Sequence, residues 1–135
     1  MSMILEIHAE SGYLNVVAAG TFSLAEAERT FLQIIEAIEL HKRSKVLFDG
    51  RDILGVPETM ERFYYGEFAA KAALDVIGRG APVPQFAYVL REPIFDRAKF
   101  GEGVAVNRGM WVMTFENPEE ALHWLGMAPA PEMKR

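Results

Sequence analysis

Polar and apolar residues alternate singly along "MILEIHAE", residues 3–10, placing Ile4, Glu6 and His8 on one side and Leu5 and Ile7 on the other. A period of two is the mark of a strand with one covered face. "YLNVVAAG", residues 13–20, is a second strand, and Ser11-Gly12 between them signals a hairpin turn. The period then becomes helical. Ser23, with Glu26 three residues on, predicts a capping box. Leu24, Ala27, Phe31, Ile34, Ile35 and Ile38 share one stripe, with Glu28, Arg29, Gln33, Glu36 and Glu39 opposite. His41, Lys42 and Arg43 close the last turn, where cations suit the helix dipole.

"KVLFD", residues 45–49, is a short apolar strand, and the residues after it read as its exit loop. A second long helix is predicted over 57–78, with Pro57 in the first turn and Glu58 and Glu61 beside it. This helix is apolar on more than one side. Met60, Tyr64, Phe68 and Ala72 form one row, Tyr65, Ala69, Ala73 and Ile77 another, and Phe63 and Val76 widen the band. A helix that covers only a sheet needs a narrower stripe, so a second contact surface is expected. Of the adjacent tyrosines, Tyr64 or Tyr65 must leave the core.

"GRGAPVP" is a loop by its glycines and prolines. "QFAYVLR" alternates as a strand, with Phe86, Tyr88 and Leu90 on one face. Residues 94–109 read as a helix weakened by Gly101 and Gly103, and "MWVMTFE" as the last strand. "NPEEALHWLG" is a compact final helix with Asn117 as N-cap, Pro118 at the first position, Glu120 completing a capping box and Gly126 as the stop. The order ββαβαβαβα predicts an α/β fold: a mixed, mostly parallel five-stranded sheet with about four helices. The domain is expected over 1–128, and 129–135 as a flexible tail.

Composition narrows the function classes. The 135 residues suffice for one domain with a real core. No cysteine is present, which removes disulfides and thiolate chemistry. His8, His41 and His123 are not spaced as a metal pair, so neither a metal nor a cofactor is expected. The net charge is −5 and the basic residues are scattered among acids, which argues against nucleic acid as a partner. No window approaches the ~20 apolar residues of a membrane span, and the N-terminus lacks a secretory pattern. The expectation is a cytoplasmic protein.

Candidate chemistry centres on "DGRD". Asp49, Arg51 and Asp52 stand where open α/β sheets bind ligands, outside the carboxyl end of a strand. The structural account is that Asp49 caps loop amides while Arg51 pairs with a neighbouring carboxylate. Asp49, Arg51 and Asp52, with Arg62, Tyr64 and Tyr65 of the following helix, are the candidate binding residues. No residues are assigned as catalytic. A hydrolase or transferase using the Asp49, Arg51 and Asp52 loop is the weakest reading, because two acids in one tight loop do not oppose each other across a cleft. No G-x-S-x-G, Walker or G-x-G-x-x-G pattern occurs either.

Three stretches carry a family resemblance: "GTFSLAEAERTF" after the hairpin, "SKVLFDGRDILG" at the third strand, and "VMTFENPEEALHWL" at the end. With the element order, the chain resembles the STAS domain, and within it the small, divergent SpoIIAA-like proteins akin to anti-sigma factor antagonists. The resemblance implies a non-enzymatic regulatory module in bacterial signalling that binds a protein partner. The broad second helix adds a homodimer through 57–78, and the alternative is a binder of a small apolar or lipid-like ligand. Phospho-switched antagonists carry a hydroxyl residue at the start of the helix after the third strand. Here that region reads "DILGVPETMER", without the usual Asp-Ser-x-Gly-like motif, and Thr59 is the hydroxyl nearby. A phosphate on Thr59 would meet a favourable helix N-terminus but also Glu58 and Glu61, which repel it.

Overall fold

Five strands form one sheet in the order in which the chain makes them: β1 (Ile4–Ala9), β2 (Leu14–Thr21), β3 (Lys45–Leu54), β4 (Gln85–Val89) and β5 (Trp111–Phe115). Only β1 and β2 run antiparallel, and every later pairing is parallel. Four helices alternate with the strands: α1 (Leu24–His41), α2 (Thr59–Gly78), α3 (Phe100–Asn107) and α4 (Pro118–Trp124). The mixed sheet, the four helices and the ββαβαβαβα order are as the sequence predicts. This computed structural model describes residues 3–95 and 99–127. The predicted tail at 129–135, and residue 128 at the predicted domain boundary, lie outside them.

Strand alternation divides the sheet into two faces. Leu14, Val16, Val46, Phe48, Phe86, Tyr88 and Val112 join α1, α2 and α3 in the main core. Leu47, Ala87 and Val89 point the other way and meet Ala121 and Leu125 of α4. β4 is therefore buried on both faces over its whole length, not alternately as the sequence suggested. A central parallel strand with helices on both sides has no wet face to show.

Ser23 caps α1, its hydroxyl accepting from the Glu26 amide at 3.3 Å. The other half of the predicted box is spent elsewhere, since the Glu26 carboxylate accepts from the Met3 amide and so ties α1 to the start of β1. Lys42 ends the helix in the left-handed region at φ 57°, which leaves Arg43 beyond it. The Arg43 Nε then donates to the Glu10 carbonyl at 2.9 Å.

α2 begins two residues later than predicted. Pro57 precedes the helix, Glu58 is the N-cap, and the Glu61 carboxylate accepts from the Glu58 amide at 2.9 Å. Its buried face is made of small residues, Gly66, Ala69, Ala70, Ala72 and Ala73, with Val76. Small side chains let α2 sit closely between α1 and α3. A Cβ on Gly66 would stand 2.7 Å from the Gly101 carbonyl oxygen, so only glycine fits at that crossing. The large aromatics Phe63, Tyr64 and Phe68 are pushed to the flanks.

α3 is much shorter than the helix predicted over 94–109. The carbonyls of Pro93 and Ile94 accept from the Arg62 guanidinium, at 2.8 Å each. Helical residues begin only at Phe100, and residues 96–98 of that stretch are outside the described set. α4 keeps the predicted cap and first position: the Asn117 side-chain Oδ1 accepts from the Glu119 and Glu120 amides, at 2.7 and 3.1 Å, and Pro118 opens the helix, but the Glu120 carboxylate does not complete the predicted box.

Candidate functional site

The "DGRD" segment is not an exit loop. All of residues 45–54 are strand, and the pairing with β2 steps from Val17 opposite Asp49 to Ala19 opposite Asp52. Three steps on β3 match two on β2, which is a β-bulge at Gly50 and Arg51. Pairing with β4 stops at Asp49, so the rest of β3 runs on as an arm held by β2 alone. Gly50 sits close to the core there: a Cβ would meet the tips of the Phe48, Ile53 and Leu90 side chains at 2.8–2.9 Å, and these would have to shift.

The bulge turns Arg51 back on Asp49. The Arg51 Nε donates to Asp49 Oδ1 at 2.9 Å and Nη2 donates to Oδ2 at 2.8 Å, a two-pronged pair, while the Arg51 amide also donates to Oδ1 at 3.2 Å. The Arg51 guanidinium holds the Asp49 carboxyl below its ordinary range, against the opposing pull of partial burial. Asp49 pairs in register with Val89, which belongs to the α4 face, whereas its neighbour Phe48 enters the main core. The pair therefore lies on the opposite face of the sheet from α2. Asp52 is exposed.

The sheet thus divides the predicted binding set. Arg62 and Tyr65 lie on the far side from Asp49 and Arg51, lining a cavity of about 140 Å³ between the sheet and the helices α2 and α3. Its walls include Phe48 of β3, Leu90 just past β4, and Met110 and Val112 at the amino end of β5. The Tyr65 and Tyr88 hydroxyls are hydrogen-bonded to each other at 2.6 Å. Phe48 stacks on Tyr88 with ring centres 4.6 Å apart, and Phe31 meets Tyr65 edge-on at 6.2 Å. Burial pushes both phenols to higher pKa, so each keeps its proton. Glu102 reaches the same cavity, where its Oε1 accepts from the Thr114 amide at 2.8 Å and the Thr114 hydroxyl at 2.7 Å.

Of the two tyrosines, Tyr65 goes in and Tyr64 goes out. Tyr64 is exposed, with its ring 5.5 Å from Phe63. It stands close in sequence to Leu54, Val56 and Met60, and these four are 65, 73, 52 and 47 % exposed in chain order. Four large apolar side chains in solvent within eleven residues mark the β3–α2 junction as an unusual surface. Thr59, the first residue of α2, is exposed in the middle of it.

Sequence reasoning missed Tyr88 as the partner of Tyr65, and Glu102 and Thr114 as further lining of the same cavity. One signal was legible: a tyrosine inside a buried strand needs a partner for its hydroxyl. Among the described residues no group of three acidic or histidine side chains could hold a metal ion, and no helix is long and apolar enough to cross a membrane.

A strand hairpin feeding a parallel sheet, with helices after every later strand, defines the STAS-like, SpoIIAA-like fold. Comparison with solved structures agrees. An anti-sigma factor antagonist from Mycobacterium paratuberculosis superposes with a TM-score of 0.59 at 15% identity, over 93% of this chain and 95% of its own. An uncharacterised DUF3478 protein with a SpoIIAA-like fold, from Shewanella loihica, gives 0.50 at 17% identity, over 92% and 93%. The resemblance read from the sequence holds at the level of the fold. No protein-family model and no curated protein matches the chain.

Proposed function

We propose that the protein is a non-enzymatic regulatory module that acts by binding a protein partner at the β3–α2 junction. The observation that carries this reading is the exposed apolar run Leu54, Val56, Met60 and Tyr64. Leaving such side chains in water costs ~25 cal/mol per Å² of apolar surface, which a partner would recover. Its fold neighbour, the antagonist from Mycobacterium paratuberculosis, supports a signalling setting by its described role. The forked Asp49–Arg51 pair is consistent with binding over catalysis, since each group is already committed to the other. A second copy of the chain, docking through α2, is the first partner to test.

The experiment compares the native protein with a Val56→Ser, Met60→Ser, Tyr64→Ser variant. Light scattering over rising concentration reads self-association, and binding of partners purified after affinity capture reads the rest. A partner bound by the native protein and released by the triple variant supports the reading. Equal binding by both overturns it, and a strict monomer at every concentration removes the second copy. A second reading, a binder of a small apolar ligand, is favoured by one observation, the 140 Å³ cavity behind Tyr65.

A further inference from the structure

We infer that the cavity takes a neutral, ring-sized organic molecule bearing one hydrogen-bond acceptor, held by the spare hydroxyl proton of the Tyr65–Tyr88 pair. This rests on the small-ligand reading above and sharpens it to a chemical class.

The size comes first. A buried apolar cavity of about 150 Å³ is enough to take up benzene in another protein, and this one is about 140 Å³. Its walls are largely hydrocarbon and thioether, from Met3, Phe48, Leu90, Met110 and Val112.

The polar specification follows from counting hydrogens. A phenol has one proton to donate and lone pairs to accept. Across the 2.6 Å contact one hydroxyl donates and the other accepts, so the acceptor still holds a proton of its own. Among the described residues neither hydroxyl has a further hydrogen-bond partner. Burial keeps both protons on, so the spare one is a permanent donor within an apolar site. A buried donor left unmade is costly, and a ligand oxygen that accepts from it gains that difference.

The remaining polar lining is committed or sets the charge. Thr30 donates to the Ala27 carbonyl at 2.9 Å within its own helix. Arg62 is spent on the Pro93 and Ile94 carbonyls, and Glu102 on Thr114. Lys99, also part of the lining, is exposed to solvent. The Arg62 guanidinium opposes a cation and the Glu102 carboxylate opposes an anion, which leaves a neutral guest such as an aryl ketone or ether.

The test uses the full chain and two probes of one shape: acetophenone, and α-methylstyrene, in which a methylene replaces the carbonyl oxygen. Amide-resolved NMR titrations give Kd for each with the native protein and with Tyr65→Phe/Tyr88→Phe. Comparing the ratio of the two affinities between proteins cancels the cost of drying the ketone. The expected result is a ratio favouring the ketone by roughly two- to tenfold more in the native protein than in the double variant. Tyr65→Phe and Tyr88→Phe each leave one unshared hydroxyl donor and should keep the preference, and loss of the preference in both would overturn the inference even where the double variant does not fold. Ala69→Leu, filling the cavity, should abolish both probes. If both probes bind natively with the ratio unchanged in the double variant, the donor inference falls while the small-ligand reading stands. If neither probe shifts cavity amides in the native protein, both fall together.

Discussion

Arg51 closes a forked ion pair on Asp49 across a bulge in its own strand, with 2.9 and 2.8 Å hydrogen bonds two residues apart. The bond from Arg51 lowers the Asp49 pKa in the folded state. A carboxyl depressed on folding contributes stability above its unfolded pKa, and the contribution is lost as pH falls through the depressed folded value. Asp49→Asn keeps an oxygen for the Arg51 amide and removes the charge. The variant should therefore lose about 0.5–1 kcal/mol at neutral pH. Urea midpoints of the two proteins should converge once acid has protonated Asp49. A difference that persists undiminished in acid would show that the pair is not the source.

The crossing of α2 on α3 makes a prediction of two signs. Gly66→Ala drives a Cβ to 2.7 Å from the Gly101 carbonyl oxygen, a backbone atom that cannot step aside. The cost should be about 1–3 kcal/mol, read from denaturant unfolding. Gly103, in the same short helix as Gly101, has open space around its Cβ position. Gly103→Ala should stabilise by roughly 0.5–1 kcal/mol through helix propensity alone. Equal effects at both positions would rule out the close crossing.

The contrast between those glycines shows what a single sequence makes legible. The stripe of α1, the Asn117 cap and the strand periods are local, and they placed the element order and the helix count correctly. The bulge at Gly50 was not legible, because Asp-Gly-Arg-Asp has the composition of a turn and only pairing with β2, 32–33 residues earlier in the chain, keeps it in a strand. The same limit hid the hold of Arg62 on the segment before α3, through carbonyls 31 and 32 residues away. Of the candidate residues, Tyr65 and Arg62 line one cavity. Their separation from Asp49 and Arg51 depended on which face of β3 each residue takes, and the misread loop concealed that.

The buried phenols predict an alkaline limit. Burial raises the folded pKa of Tyr65 and Tyr88 above the ordinary 10.0. A raised acid keeps its full stabilising contribution below the unfolded pKa and loses it as pH rises beyond, because the unfolded state sheds protons first. Stability should thus fall above pH ~10. Below the unfolding pH, phenolate absorbance should report no more than two of the four tyrosines. Tyr65→Phe/Tyr88→Phe should then leave that native-state step at its original height, and a smaller step would place at least one of these hydroxyls in water.

α4 is seven residues long, too short to hold as an isolated helix, and its carboxyl end is tied down from below. The Lys45 ammonium donates to the Leu125 carbonyl at 2.6 Å and the Nε2 of the buried Gln85 side chain donates to the Trp124 carbonyl at 3.3 Å. These two donors come from the first residues of β3 and β4, so the sheet itself caps the helix. Lys45→Met with Gln85→Leu removes both while keeping the bulk of the side chains. Left without donors, the carbonyls should turn to water, loosening α4 and costing about 1–2 kcal/mol. Trp124 packs against Trp111 and Phe115, with ring centres 6.1 and 5.7 Å away, so its fluorescence should move to longer wavelength as the helix lifts. Hydrogen exchange should quicken over residues 118–124 well before it does in β4. Unchanged exchange across α4 would mean that Ala121 and Leu125 alone keep the helix on the sheet.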